Sequence, residues 1–267
     1  MWVYKACDFP DVSAQTHEPA AAAVDALRRR ARGRSDGQDN VSETSIGTSA
    51  LRGAVFLDVD GTLVPGTTSS AHIADFLGHF ETLTAAEEAY ALGKMSNQEV
   101  SVIDARGWAG VDEDVVHQWL HGLPLVAGIA ETVAWCARRE LVPVLATLAW
   151  EPVGRFLADR FRVGSFCGPR LEVVRGRYTG RVLYHFDEYD KRDHCVAEAD
   201  RLGVPLSACV AVGDSRSDLP LFEEVGYSIA FNGTPEARRA ATAAVDGDDL
   251  RAVLPLLERW LTSPSGR

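Results

Sequence analysis

The chain has 267 residues, 46% hydrophobic and 24% charged, the composition of an ordinary globular protein with material for a sizeable core. Its formal net charge of −11 argues against a nucleic-acid binder, because affinity for polyanions comes largely from Lys and Arg neutralising phosphates. No apolar run approaches the roughly 18 residues that span a bilayer, and the opening MWVYKACDFPDV lacks a basic start and an apolar middle, so a cytoplasmic protein without membrane contact is expected.

Residues 1–50 hold an Ala-rich segment, then RRRARGR and SDGQDNVSETSIGTS, with little apolar periodicity on which to build a core. They read as a mobile leader that carries no chemistry, its basic run a solvated segment. The pattern changes at residue 53. Ala54-Val55-Phe56-Leu57 is an unbroken apolar run of the kind found in strands buried on both faces of a parallel sheet. It runs directly into Asp58-Val59-Asp60-Gly61-Thr62-Leu63-Val64. Residues 70–124 then show helical segments at 71–77, 85–92, 97–106 and 112–120, an all-helical insertion expected to sit over the crevice as a cap. Trp108 and Trp119 are expected to pack its helices. His117 and His121 lie four apart, but HQWLH lacks the Glu of H-E-x-x-H, so a solvated or packed pair is expected and no metal site.

A helix over 128–139 leads into the second apolar run, Val142-Pro143-Val144-Leu145-Ala146, which ends at Thr147 and Leu148. Trp150 follows, expected to pack against the core or the cap, and a helix over 151–160 comes next. In LEVVRGRYTGRV, apolar residues flank Gly176 as in a hairpin. A helix over 190–202 carries Lys191 at its start. The third run, Ala208-Cys209-Val210-Ala211-Val212, opens into Gly213-Asp214-Ser215-Arg216-Ser217-Asp218. This alternation predicts an α/β fold: a doubly wound, mostly parallel sheet with a Rossmann-like core over 51–69 and 125–267 and the helical cap over 70–124. Ligands of such sheets bind beyond the carboxyl ends of the strands, so the polar groups at the three run ends converge on one crevice. Cys7, Cys136, Cys167, Cys195 and Cys209 form no C-x-x-C pair, and reduced, buried thiols are expected.

Two carboxylates two residues apart at a strand end need not share a role. One can attack phosphorus to form an acyl phosphate, while the other protonates the leaving oxygen and then activates water. An EF-hand loop is excluded, because the Gly comes one residue after Asp60 and Ser69 stands where the twelfth-position Glu would be. Asp214 and Asp218 supply a second acidic pair, and hard oxygen ligands suit Mg²⁺. Without a cation, Asp58 and Asp214 would repel each other and an incoming phosphate. Lys191 adds positive charge near a helix start, and Thr147 offers a hydroxyl and an N–H to a phosphate oxygen. Arg216 is a candidate for substrate contact or a surface salt bridge. No P-loop pattern occurs.

These elements, in this order, resemble the haloacid dehalogenase superfamily of aspartate-nucleophile phosphatases. DVDGTLV and GDSRSDLPLFEEVGYSIAFNGTP carry the resemblance, which covers about residues 53–260. It implies Asp58 as nucleophile and metal ligand, Asp60 as general acid and base with its carbonyl on the metal, and Asp214 as a further ligand. It also implies phosphate contacts from Thr147 and Leu148, Lys191 steadying an aspartyl phosphate, and Asp218 supporting the metal site from behind. The cofactor would be Mg²⁺ and the partner a small phosphate monoester. Within the superfamily the chain is most similar to the phosphoserine phosphatase branch, with three departures, one being Thr147-Leu148-Ala149 in place of that branch's Ser-Gly-Gly second motif. Thr67 stands where those enzymes carry a Glu that reads the amino group, and only Arg106 is near the place of the arginine that grips the carboxylate. The resemblance therefore implies a phosphomonoesterase with a substrate other than phosphoserine; a phosphotransferase or mutase of the same superfamily, or a non-catalytic binding module, are the alternatives.

Overall fold

A computed structural model describes residues 51–263; the leader expected over 1–50 lies outside the described residues. The first strand, β1 (Gly53–Leu57), is buried along its whole length, as its unbroken apolar run requires. Five helices intervene before the next strand, and the first four are α1 (Ser69–Leu77), α2 (Phe80–Ala91), α3 (Asn97–Gly107) and α4 (Glu113–Leu120). Their starts are written in the sequence. Thr68 accepts from the Ala71 N–H at the head of α1, and Ser96 and Glu99 form a reciprocal capping box at the head of α3.

The chain continues through α5 (Ile129–Arg138), β2 (Leu141–Leu145), α6 (Glu151–Phe161), the hairpin β3 (Arg170–Val174) and β4 (Arg177–Tyr184), and α7 (Glu188–Leu202). It closes with β5 (Val210–Gly213), α8 (Leu219–Glu224), β6 (Tyr227–Phe231), α9 (Pro235–Ala240), β7 (Ala243–Val245) and α10 (Leu254–Thr262). The helix carrying Lys191 thus begins at Glu188, ahead of the expected 190, because Asp187 and Asp190 form a capping box there.

The main sheet has the order β2-β1-β5-β6-β7, and every pairing is parallel. From β1 the chain moves outward to β2 on one side and, after crossing back, to β5, β6 and β7 on the other. The gap between β1 and β5 is therefore the switch point where ligands of doubly wound sheets bind. Register keeps the strand ends level, with Leu57 opposite both Leu145 and Val212. The hairpin turns at Arg175 and Gly176, both with positive φ (54° and 76°), as a two-residue hairpin turn requires. It docks on the inserted helices: the Gly110 N–H donates to the Tyr178 carbonyl, and the Tyr178 N–H to that of Val111. Among the described residues, no helix is long and apolar enough to cross a membrane.

Candidate active site

Asp58 is the residue after β1, and its N–H donates to the Val212 carbonyl of β5 at 2.9 Å. That bond pins Asp58 at the switch point. The loop beyond it folds tightly on the Val59 carbonyl, which accepts from the N–H groups of Thr62, Leu63 and Val64. Gly61 has φ +88°, and a Cβ there would lie 2.3 Å from Asp214 Oδ2, so only glycine lets the two acidic loops approach. Asp60 leans the other way. Its Oδ1 accepts from the Ser69 N–H at 2.7 Å and its Oδ2 from Ser69 Oγ at 3.0 Å, so the head of α1 orients this carboxyl. Burial raises Asp60 to about 6 against the lowering effect of these Ser69 hydrogen bonds, which suits an acid that must give and retake a proton near neutrality.

Lys191 is fully buried and bridges Asp58 Oδ1 at 2.7 Å and Asp218 Oδ1 at 2.6 Å. Burial alone would lower its pKa, but the two carboxylates more than reverse this, so the amine stays charged. Asp218 also accepts from the N–H groups of Asp214 and Ser215, and so it holds the loop after β5 in shape. The oxygens of Asp58, Asp214 and Asp218 lie within 4.8 Å of one another. Burial and the nearby Asp218 push Asp214 up to about 7, and burial raises Asp58 well above the usual carboxylate range despite Lys191. The single lysine does not neutralise three acids. Among the described residues, Asp214 Oδ1 is buried and has no hydrogen-bond partner. Such an orphaned oxygen among hard oxygen donors fits a divalent cation. Asp58, Asp214 and Asp218 are the carboxylates that could meet on such a cation, and Asp218 already accepts from Lys191 and two backbone N–H groups.

A cavity of about 790 Å³ opens over this cluster, lined on one side by Asp58, Asp60, Thr147, Leu148 and Asp214 and on the other by residues of α2 and α3. Thr147 is buried beyond β2. Its N–H donates to Cys167 Sγ at 3.4 Å. Its hydroxyl oxygen accepts from the Ala149 N–H at 3.0 Å, leaving the hydroxyl proton to be donated. Thr67 lines the cavity, but Arg106 is exposed on α3 and does not. The arginine that does reach the cavity is Arg216. It donates to the Tyr90 carbonyl at 2.7 Å, lies 4.6 Å from the Tyr90 ring and pairs with Glu188. His117 and His121 form the packed pair, edge-on to each other and to Phe156.

Three groups were not legible in the sequence: Glu87 and Asp104, which line the cavity, and Ser69, buried behind Asp60. Glu87 lines the wall from α2, and its Oε1 accepts from Thr68 Oγ1 at 2.8 Å. Asp104 lies on α3, where it binds Trp108 four residues on. Thr68 before Ser69 is a residue type that starts helices, but nothing local marks the partner the Ser69 N–H would choose.

Residues 55–223 match the family model for haloacid dehalogenase-like hydrolases. The phosphoserine phosphatase SerB2 of Mycobacterium tuberculosis is 28% identical over 204 residues, 76% of this chain and 50% of that protein, so the match spans about half the relative's length. A phosphoserine phosphatase of Albidiferax ferrireducens is 25% identical over 213 residues, 76% of this chain and 89% of that one. Among solved structures, a substrate-bound phosphoserine phosphatase complex superposes with a TM-score of 0.70 at 22% identity, covering 76% of this chain and 97% of its own, which shows a shared fold. With the sheet, the two acidic loops at its switch point and a family match over most of the described residues in agreement, the chain belongs to the haloacid dehalogenase-like hydrolase family.

Proposed function

We propose that this protein is a Mg²⁺-dependent phosphomonoesterase that removes phosphate from a small organic monoester through an aspartyl phosphate on Asp58. The observation that supports it most directly is the buried Asp58–Lys191–Asp218 bridge beside Asp214 and its orphaned oxygen. A binding module needs no such charge-compensated nucleophile at a switch point.

In this reading the Asp58 carboxylate attacks phosphorus, the phosphorus–ester oxygen bond breaks, and Asp60 gives its proton to the departing oxygen to release the alcohol. Asp60, now ionised, takes a proton from water as that water attacks the phosphorus. The acyl phosphate bond breaks, phosphate leaves, and Asp58 is restored. When bound, a divalent cation supplies the positive charge that offsets repulsion between phosphate and carboxylates. Asp58 and Asp214 would hold it with their side chains, and Asp60 with its carbonyl. Lys191 fixes Asp58 and balances the developing charge, Asp218 keeps Lys191 and the loop after β5 in place, and the Thr147 hydroxyl with Leu148 receives the phosphate.

We further propose that residues 70–124 act as a cap and that residues 51–69 and 125–267 form the catalytic core, a division supported by the cavity between the strand ends and α2 and α3. The relatives are named for phosphoserine, yet Thr67 supplies no charge for an ammonium group and Arg106 lies outside the cavity. Phosphoserine is therefore one candidate among small phosphate monoesters. The four described cysteines are buried and unpaired, which agrees with a reducing, cytoplasmic setting.

The test is phosphate release with Mg²⁺ from a panel of phosphoserine, sugar phosphates, nucleoside monophosphates and p-nitrophenyl phosphate. Wild-type protein should release phosphate and stop when EDTA is added, and Asp58→Asn should fold normally with turnover abolished. Substantial turnover by purified Asp58→Asn would refute the nucleophile assignment.

A further inference from the structure

Asp104 is the most fully occupied carboxylate of the cavity wall. It is buried on α3, and its two oxygens meet three ring N–H groups. Oδ1 lies 2.7 Å from His79 Nε2 and accepts from Trp108 Nε1 at 3.1 Å, while Oδ2 accepts from Trp150 Nε1 at 2.6 Å. His79 and Trp108 belong to the same helical insertion as Asp104, but Trp150 does not. It follows Thr147, Leu148 and Ala149 in the loop after β2 and stands at the head of α6. Trp150 is itself buried, meets Trp108 edge-on with ring centroids 6.3 Å apart, and lines the cavity. The Asp104–Trp150 hydrogen bond therefore crosses from the insertion to the loop that carries the phosphate-binding residues.

Three of the roughly four acceptor positions of the Asp104 carboxylate are thus taken by ring nitrogens, although it faces the cavity. Glu87 on the same wall is different, since its Oε2 has no partner among the described residues. A short hydrogen bond from an indole N–H to a buried carboxylate is strong and directional, and breaking it leaves a buried acceptor or donor unsatisfied. The Trp150 indole is thus tied to α3 at the wall of the cavity.

We propose that Asp104 is a positioning residue for the reaction: by holding the Trp150 indole it ties the cap to the loop after β2 and so completes the wall against which the substrate's organic part packs. The proposal rests on the phosphomonoesterase reading above. It does not involve Asp104 in bond making, and it assigns Asp104 and Trp150 to substrate binding rather than to the chemical step.

The experiment measures KM and kcat with Mg²⁺ and p-nitrophenyl phosphate for wild type, Asp104→Asn, Trp150→Phe, the double variant and Arg106→Ala. Arg106 is an exposed neighbour on α3 and serves as the control. Asp104→Asn and Trp150→Phe should each raise KM about tenfold with kcat changed less than about threefold, and the double variant should be no worse than either single one, since the two residues act through one bond. Arg106→Ala should match wild type. A second readout is independent of turnover: the Trp150 indole N–H resonance, assigned by its loss in Trp150→Phe, should lie downfield in wild type and Arg106→Ala and move upfield in Asp104→Asn. Unchanged KM in folded Asp104→Asn and Trp150→Phe, or additive effects in the double variant, would overturn the positioning role while leaving the phosphatase reading intact. If Asp104→Asn does not fold, Trp150→Phe carries the same test. A silent wild-type protein across the whole substrate panel would instead overturn the phosphatase reading, and this proposal with it.

Discussion

Glycine 61 shows how a single residue without a side chain can set the site. Its positive φ and the 2.3 Å that would separate a Cβ from Asp214 Oδ2 mean that Gly61→Ala must push Asp214 away from Asp58. Displacements of about 1 Å in such sites cost about a hundredfold in rate. Gly61→Ala should therefore fold, lose about that factor in kcat/KM, and need more Mg²⁺ for half-maximal activity. Glu87 gives a residue-level prediction about stability. Burial raises its pKa from 4.5 to about 7, only partly offset by the Thr68 hydroxyl. Below the unfolded value both states hold the proton. As pH rises through the window from about 4.5 to 7, the unfolded chain releases its proton first, so the folded state loses stability, on the order of 2 kcal/mol after allowing for partial exposure. Glu87→Gln keeps an acceptor for Thr68 and cannot ionise. Its Tm should match wild type near pH 4 and exceed it above about pH 7; equal Tm values across the range would contradict the assignment.

Elements differed in how openly the sequence announced them. β1, β2 and β5 stand out because strands buried on both faces need unbroken apolar runs, and the polar residues at their ends point to Asp58, Thr147 and Asp214. The four inserted helices and the hairpin turn at Gly176 were equally visible, through periodicity and turn chemistry. β6 and β7 were not picked out as strands, since YSIAF reads as part of the acidic motif's continuation and AAV is only three residues long. Nor was it legible that the hairpin would dock on α3, because docking depends on residues far apart in the chain. Tyr178 makes that contact: it is buried, edge-on to Trp108 at 5.0 Å, and exchanges backbone hydrogen bonds with Gly110 and Val111. Tyr178→Ala should destabilise the protein by about 3 kcal/mol or more, as large aromatic truncations in cores do, and speed amide exchange in α3 ahead of the main sheet. Uniform exchange in both regions would mean that the hairpin does not support the cap helices.

For the whole molecule, the parallel sheet converts short stretches of sequence into one reaction centre. Residues 58, 147, 191 and 214 are scattered over more than half of the chain, yet level strand ends and one buried lysine bring them together. The acids and the lysine were legible because their positions at strand and helix ends repeat a family pattern. Ser69, Glu87 and Asp104 were not, because their importance comes from partners contributed by other elements: Asp60, Thr68 and Trp150. Arg106 was a misleading signal for the same reason, since α3 turns it outward and turns Asp104 inward. The net charge of −11 is compatible with the proposed function, in which the attraction for phosphate would be concentrated at Lys191 and a bound cation rather than spread over the surface.

The central claim is that phosphate passes through a covalent bond to Asp58. The most direct measurement mixes wild-type protein with Mg²⁺ and its best substrate, quenches in acid within the first turnover, and maps the phosphoryl group by peptide mass spectrometry. A phosphorylated peptide containing Asp58, absent from Asp58→Asn, should form and decay as free phosphate appears. Phosphate release with no phosphoryl group on Asp58 at any time, or with the group on another residue, would contradict it.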